Sequence, residues 1–461
     1  MSHKMPEKSG LNKGDQMNKQ IKFYGGVKLD EGKMTSNEPI ISAPLEPLYT
    51  VPLQQHIGAP AKAVVQKGDK VLRGQLLGEA GSFVSAPVHS PTSGTVRELS
   101  SCLGPAGAQL PAVVIESDGE DTAAEPLPIF ANWQEASPDE LKARVAEAGI
   151  VGMGGAAFPT AVKLSPPPNV TIDTVILNGV ECEPCLTADH RLMLEHTETI
   201  ITGARIIARI LGVKQIIIAI EMNKPDALEM MTKKAEGTGV EVVGLRVLYP
   251  QGAEKQLIYT VTGRKVPSGK LPAHVGCLVT NVSSAAAIAD AVCLGKPLYE
   301  RITTVTGTPV AKPGNILCRV GTPYSSALAL CGGVKEDPLK IISGGPMMGM
   351  SVYSLDIPII KGTSGILLLA ADEVSQYTPN ACLRCGRCND ACPMEMIPGI
   401  LSSTIEFHHF SLAERWHVMD CIECGCCSYV CPAGRPLVQH MRRAKAVANA
   451  TRRAAEAASK K

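Results

Sequence analysis

The chain has 461 residues, with 45 Lys and Arg set against 44 Asp and Glu. That balance excludes the strong positive field on which nucleic-acid binders depend, and no apolar run approaches the roughly 18 residues of a membrane-crossing helix. A hydrophobic share of 45% fits a globular protein, while 43 Gly and 34 Pro against 4% aromatics predict many turns and compact β modules, spread over about three or four domains.

Residues 1–20 are polar, lack the apolar core of a secretory signal and read as a disordered tail. The expectation is a cytoplasmic protein that meets the inner face of the membrane only through partners. Residues 21–125 show short strands broken by Gly and Pro. Ala63–Gly78 alternates around Gly68-Asp69, a hairpin signal, and Ser90–Val96 follows. The stretch resembles a biotinyl/lipoyl-type barrel-sandwich domain. It has no Met-Lys-Met at the tip, so it reads as a structural or docking module.

After a linker at Leu127–Trp133, Ser137 with Glu140 predicts a capped helix through Ala148. A glycine-rich loop, Gly149–Thr160, comes next. Strands are predicted at Thr171–Leu177, Lys214–Ile220 and Val240–Leu248, and helices at Asp189–Leu211 and Pro225–Glu236. In the first helix, Ile200, Ile201, Ala204, Ile207, Ala208 and Leu211 share one face. Strands alternating with helices imply a parallel, doubly wound sheet over 134–306. Residues 307–371 suit a small β-grasp-like module, with strands near Gly314–Val320, a helix near Ser325–Leu330 and Gly344-Gly345-Pro346. A cysteine-rich segment spans 372–440. The tail, 441–461, is an Ala-rich helix with Arg442, Arg443, Lys445, Arg452 and Arg453, read chiefly as a solvated basic face.

The cysteine-rich segment carries the most specific chemistry. Cys382, Cys385, Cys388 and Cys392 precede Pro393; Cys421, Cys424, Cys427 and Cys431 precede Pro432. Both copies have the C-x2-C-x2-C-x3-C-P run of two-cluster ferredoxins, in which the fourth cysteine ligates the other cluster. The expected sets are Cys382, Cys385, Cys388 and Cys431 for one [4Fe–4S] cluster, and Cys421, Cys424, Cys427 and Cys392 for the other. Zinc has no use for the CxxxCP ending, and disulfides do not suit a chain without a secretory signal. Spacing favours Cys427 over Cys426 without forcing it.

A second constellation lies upstream. The loop Gly149–Gly155 follows a predicted helix, so it is not a Rossmann fingerprint. Its glycines still allow a close approach of backbone N–H groups to a ligand. Lys163 follows, and the next strand opens into Asn178-Gly179-Val180-Glu181-Cys182-Glu183-Pro184, where α/β sheets bind ligands. Glu181 and Glu183 read equally well as a solvated acidic loop. Cys182 and Cys185 are not in a setting that favours a redox pair.

Gly152–Lys163 and Asn178–Pro184 resemble the FMN loop and the Asn-x-x-Glu-x-Glu-Pro segment of the flavoprotein subunit of respiratory complex I. Tyr249–Lys255 and Val279–Val282 are similar to its later cofactor-contacting segments. The order Tyr24–Val27, Gln55–Pro60, Gly149–Leu164, Glu181–His190, Gly344–Gly349 and both cysteine runs resembles more closely the C subunits of Rnf electron-transport complexes, over roughly residues 21–445. Departures stand at Cys185, at Ala157, where Gly is usual, and at Val180, which removes one polar FMN contact.

The resemblance implies four units: a barrel-sandwich, an FMN/NADH-binding α/β domain, an SLBB-like β-grasp domain and an α-helical two-[4Fe–4S] domain. It implies FMN near Gly152, Gly154, Gly155, Lys163, Asn178 and Asn281, with Glu181, Glu183 and Glu254 facing NAD(H). No side chain would be catalytic itself, because hydride moves between NAD(H) and FMN. Electrons would run between ferredoxin and NAD+ through other subunits, the iron–sulfur B subunit and membrane-embedded ones among them. The drop would drive Na+ or H+ translocation. Two rivals share parts of the pattern. A soluble cobalamin reductase of the propanediol-utilisation type would lack the N-terminal 125 residues. A ferredoxin-like relay with a vestigial flavin fold would not need Gly152, Gly154, Gly155, Lys163 and Glu183 intact.

Overall fold

The computed structural model describes residues 21–375 and 379–459; the expected tail 1–20 lies outside them. Four sheets and a helical C-terminal segment build the chain. The N-terminal unit is a sandwich. Leu48–Pro52, Gln109–Ser117, Gly94–Leu103 and Lys70–Val71 form one sheet, and Lys62–Ala63, Leu76–Glu79 and Val88–His89 the other. Their inner faces meet at Tyr49, Val51, Leu77, Val113 and Ile115. The hairpin expected within Ala63–Gly78 does not close around Gly68-Asp69. Gly68 does turn, giving its N–H to Val96 O at 2.8 Å, but Lys62–Ala63 pairs with Gly78–Glu79 while Lys70–Val71 crosses to the opposite sheet. Alternation reports a strand's period and not its partner.

The α/β unit opens with the expected capped helix, Pro138–Glu147, closed by the reciprocal Ser137 and Glu140 bonds. Its sheet is wholly parallel in the order Val240–Leu245, Gln215–Glu221, Thr174–Gly179, Cys277–Asn281. The third strand stops at Leu245, short of the expected Leu248. The long helix expected over Asp189–Leu211 is two, Ala188–Glu195 and Thr197–Leu211, broken at non-helical His196. The apolar face read from the sequence belongs to the second alone. The break frees the first to aim its N-terminus elsewhere. The second helix packs against Val282–Leu294 so closely that a Cβ on Gly203 would stand 1.9 Å from Ala285 O.

The third sheet is mixed, in the order Ile40–Ser42, Gly314–Arg319, Glu300–Thr306, Gly365–Leu369, Lys340–Ser343, Met350–Val352. Its edge strand, Ile40–Ser42, comes from the N-terminal segment and pairs parallel with Asn315–Leu317. Helix Tyr324–Leu330 adds Tyr324, Ala327 and Leu328 to the core beneath this sheet. In the C-terminal unit the last helix, Leu437–Ser459, packs Met441 and Ala444 on Leu401 and Ile405 of Pro398–Glu406. Four of its basic residues are engaged. Arg442 and Lys445 hold Glu423 at 3.0 and 2.5 Å, Arg443 lies over Phe410, and Arg452 pairs with Glu414.

Lys361 ties three units together. Its buried ammonium donates to Pro87 O and Gly149 O, both at 2.7 Å, and its backbone N–H donates to Gln55 Oε1 at 3.0 Å. This bond accounts for Gln55 in the Gln55–Pro60 segment. With no carboxylate beside it, burial pulls the Lys361 ammonium down to about 7. A Lys in the unfolded chain titrates near ~10.4. Between these values the unfolded chain holds the extra proton, so stability rises with pH across the window. The melting temperature is therefore expected to climb from about pH 7 towards about pH 10, and Lys361→Met to flatten that limb; parallel curves for the two proteins would refute the role. Gly203→Val should cost about 3 kcal/mol by forcing two helices apart, read as a lowered denaturation midpoint. An unchanged midpoint would show that the contact can relax.

Candidate redox centre

The strand order reverses beside Thr174–Gly179, with Gln215–Glu221 on one side and Cys277–Asn281 on the other. Such a switch point opens a crevice at the carboxyl ends of the strands. Asn178 and Asn281 are paired across it in register. Asn178 Nδ2 donates to Gly252 O at 2.8 Å and its Oδ1 accepts from Val180 N–H at 3.1 Å. Asn281 caps Val282–Leu294 by accepting Ser283 N–H, and donates to Asp189 Oδ2 at 2.6 Å. The other Asp189 oxygen accepts Ser283 Oγ–H at 2.6 Å. Asp189 is buried and organises this corner. The only signal for it in the sequence was its place in Glu181–His190.

The glycine loop lies over the same corner. Gly152 N–H bonds Phe158 O, Met153 N–H bonds Ser284 Oγ, and buried Arg301 reaches Met153 O at 2.8 Å. A Cβ on Gly154 would meet Asn281 Nδ2 at 2.8 Å; one on Gly155 would meet nothing within 4 Å. The first glycine is demanded by packing, and the second borders open space. Ala157 holds a left-handed φ of 51°, a conformation that explains why Gly is usual there. Lys163 ends a short helix and donates to Val279 O at 2.9 Å, with Glu254 at 3.4 Å. Both side chains keep contact with solvent.

Glu181 and Glu183 both accept backbone N–H groups. Glu181 accepts Asp189 N–H at 2.7 Å and His190 N–H at 3.1 Å, at the N-terminus of Ala188–Glu195. Burial raises its carboxyl to about 7, against the pull of Lys33. Glu183 accepts Met347 and Met348 N–H at 3.1 and 2.8 Å, and the Tyr249 hydroxyl lies 3.4 Å from it. Burial raises it as well. Gly345 must lack a side chain, since its Cβ would fall 2.3 Å from Glu183 Oε2. Lys33 roofs the loop, donating to the carbonyls of Glu181, Glu183 and Leu186 at 2.8, 2.9 and 2.6 Å. Charge type and position revealed these carboxylates; the partners of Glu183, and Lys33 above the loop, lie far away in the chain and left no local signal.

In the cysteine segment, Cys392, Cys421, Cys424 and Cys427 line one void of about 380 Å³, counting its part open to solvent, walled by Pro393, Met396, Leu401, Ile422 and Met441. The fourth cysteine of the first run thus stands with three of the second. Cys388, of the other expected set, lies near Cys382 and Cys431. Cys427 lines the void, whereas fully buried Cys426 packs with Val27, Tyr249 and Ala391 and points its thiol at Tyr249 O. The two residues that spacing left ambiguous thus have different surroundings. Among the described residues no three His, Cys, Asp or Glu side chains converge on one metal ion. A ring of thiols about an apolar void suits a cluster, whose sulfur-to-iron bonds keep the cysteines further apart. At the glycine corner, Gly155 leaves open backbone of the kind a flavin phosphate can approach.

Comparison with known proteins follows the same division. Family profiles match residues 21–120 (RnfC Barrel sandwich hybrid domain), 145–290 (Nuo51 FMN-binding domain), 302–351 (SLBB domain) and 375–432 (4Fe-4S dicluster domain). The C subunit of the Proton-translocating ferredoxin:NAD(+) oxidoreductase complex of Clostridium ljungdahlii is 49% identical over 91% of this chain and 92% of its own. This chain belongs to the RnfC family. Within that family, the C subunit of the Na(+)-translocating ferredoxin:NAD(+) oxidoreductase complex of Acetobacterium woodii is 43% identical over 94% of this chain and 98% of its own. The C subunit of the Ion-translocating oxidoreductase complex of Rhodobacter capsulatus is 44% identical over 91% and 82%. The four-part architecture expected from the sequence is the architecture of the family.

Two substitutions separate the cysteine roles. Cys392→Ser should abolish the cluster grouped with Cys421, Cys424 and Cys427, and Cys426→Ser should leave both clusters in place, as EPR of the reduced protein would show. Loss of the other cluster in Cys392→Ser would disprove the crossed grouping.

Proposed function

We propose that this RnfC-family protein exchanges a hydride with NAD(H) at FMN and single electrons with partner subunits through two [4Fe–4S] clusters. The complex would carry those electrons to or from ferredoxin while moving Na+ or H+. Units near 21–125, 134–306, 307–371 and 372–440 would carry the docking, flavin, β-grasp and cluster roles. The family relation supports the reaction class, and no described helix is long and apolar enough to cross a membrane, so attachment would fall to partner subunits.

The observation that carries the reading is a physical bridge between the two centres. Tyr249 Oη donates to Cys424 O at 2.8 Å while its hydroxyl also borders Glu183 of the switch-point loop. Gly26 N–H bonds Ala391 O at 3.1 Å, and Gly25 leaves no room for a Cβ beside the Cys392 carbonyl. Bound FMN supplies the ability to take two electrons at once and release them singly. The residues of the chain supply placement and charge. Gly152, Gly154 and Gly155 let the backbone approach, Lys163 offsets negative charge on phosphate or ring, and Asn178 and Asn281 fix the crevice floor. Glu254 is the carboxylate left facing the opening on the nicotinamide side. Glu181 and Glu183 hold the wall that keeps the nucleotide in register.

Reconstituted chain should bind FMN, show a flavin absorbance band and bleach on anaerobic addition of NADH. Lys163→Ala should weaken FMN binding by about tenfold or more, the scale of one lost charge-assisted bond. A protein that holds clusters yet neither binds FMN nor reacts with NADH would sink the proposal.

A further inference from the structure

The two cysteine runs have near-identical backbones, which makes their side-chain differences informative. In each, the residue before the second cysteine is left-handed, Arg384 at 56° and Glu423 at 57°, and the residue after it is a left-handed glycine, Gly386 at 80° and Gly425 at 83°. In each, that first residue gives its N–H to the leading cysteine sulfur, at 3.4 Å to Cys382 and 3.3 Å to Cys421. The corresponding half of the second run is covered, with exposure returning only at Tyr429. Glu423 is clamped by Arg442 and Lys445, Gly425 backs onto Met347 O, and Cys424 is buried beneath Tyr249. The leading half of the first run is open, although Cys392 at its end is buried. Cys382 and Cys385 are exposed and Leu383 is 66% exposed. Arg384 and Arg387 are exposed, and neither side chain has a hydrogen bond or ion pair among the described residues.

We propose that Leu383–Arg387 is the docking face for a one-electron carrier protein whose own redox centre is rimmed by carboxylates. The inference rests on the functional reading above and adds the direction of the relay: Cys424 marks the flavin end and Cys385 the partner end. Two unpaired guanidiniums match carboxylates and speed encounter with an acidic partner. Leu383 offers the apolar centre of a small contact, and the cysteines beside the arginines put the reacting group at the surface. Each electron that crosses reduces the carrier by one and leaves the chain oxidised by one; NADH supplies them in pairs, with its proton released to water. An anionic lipid surface could use the same arginines but has no use for cluster ligands set among them.

The test compares the holoprotein with Arg384→Glu/Arg387→Glu and with Arg384→Gln/Arg387→Gln. NADH-reduced protein is mixed with ferricyanide, an anion, or hexaammineruthenium(III), a cation. At low ionic strength the charge reversal should slow ferricyanide by about five- to tenfold without slowing hexaammineruthenium, and high salt should close the gap. A second readout is independent of turnover. In dithionite-reduced protein, the anionic relaxant chromium(III) tris(oxalate) should broaden one cluster's EPR signal in the parent and less so in the variant. Membranes stripped of this protein should accept electrons from the parent and poorly from the variant. Equal effects on both acceptors, an unchanged EPR response, or normal transfer to membranes would overturn the proposal, as would arginine-dependent binding to anionic vesicles with no loss of transfer. Absence of a flavin band in the parent would instead count against the functional reading, and the EPR comparison would still judge the docking face.

Discussion

A single buried carboxylate, that of Glu183, sets the relation of three units. Among the described residues it has no cation in bonding distance; the N–H groups of Met347 and Met348 satisfy it, and the Tyr249 hydroxyl lies alongside. An unpaired buried carboxylate would be costly, so the β-grasp turn and the Tyr249 segment must both be in place before the switch-point loop can bury it. Tyr249 then passes the constraint to Cys424. The distance between the flavin corner and the inner cysteine ring is thus fixed by hydrogen bonds rather than by a linker.

The sulfur ring and the glycine corner obey different rules. The cysteine loops gain their shape from local backbone: left-handed residues at Arg384, Gly386, Glu423 and Gly425 wrap each run. The glycine corner gains its shape from distant side chains, with Ser284, Asn281 and Arg301 each touching the loop from later in the chain. A substitution among the cysteine runs should therefore act locally, while the flavin corner can be disturbed from the mixed sheet, where Arg301 resides.

This contrast also explains what could be read from the sequence. The 4Fe-4S dicluster segment, the capped helix at Ser137 and the parallel sheet were legible because spacing, capping and period are local properties. Asn178 and Asn281 were found through resemblance and are brought together by strand register. The hydrogen-bond partners of Glu181 and Glu183 were not legible, because they are backbone groups at Asp189 and Met347, and a backbone N–H has no residue type. The helix break at His196 left no mark in the apolar period, and Ile40–Ser42 gave no hint that it would leave its own domain for another sheet.

The N-terminal segment has a consequence for biogenesis. Residues translated early finish in contact with residues translated much later: Gly26 with Ala391, Ile40 with Asn315, Lys33 with the loop at Glu181. Contacts so far apart in sequence form late. This strap cannot settle fully until the residues around Ala391 have left the ribosome, so part of the early chain waits, unpaired, for a segment made late.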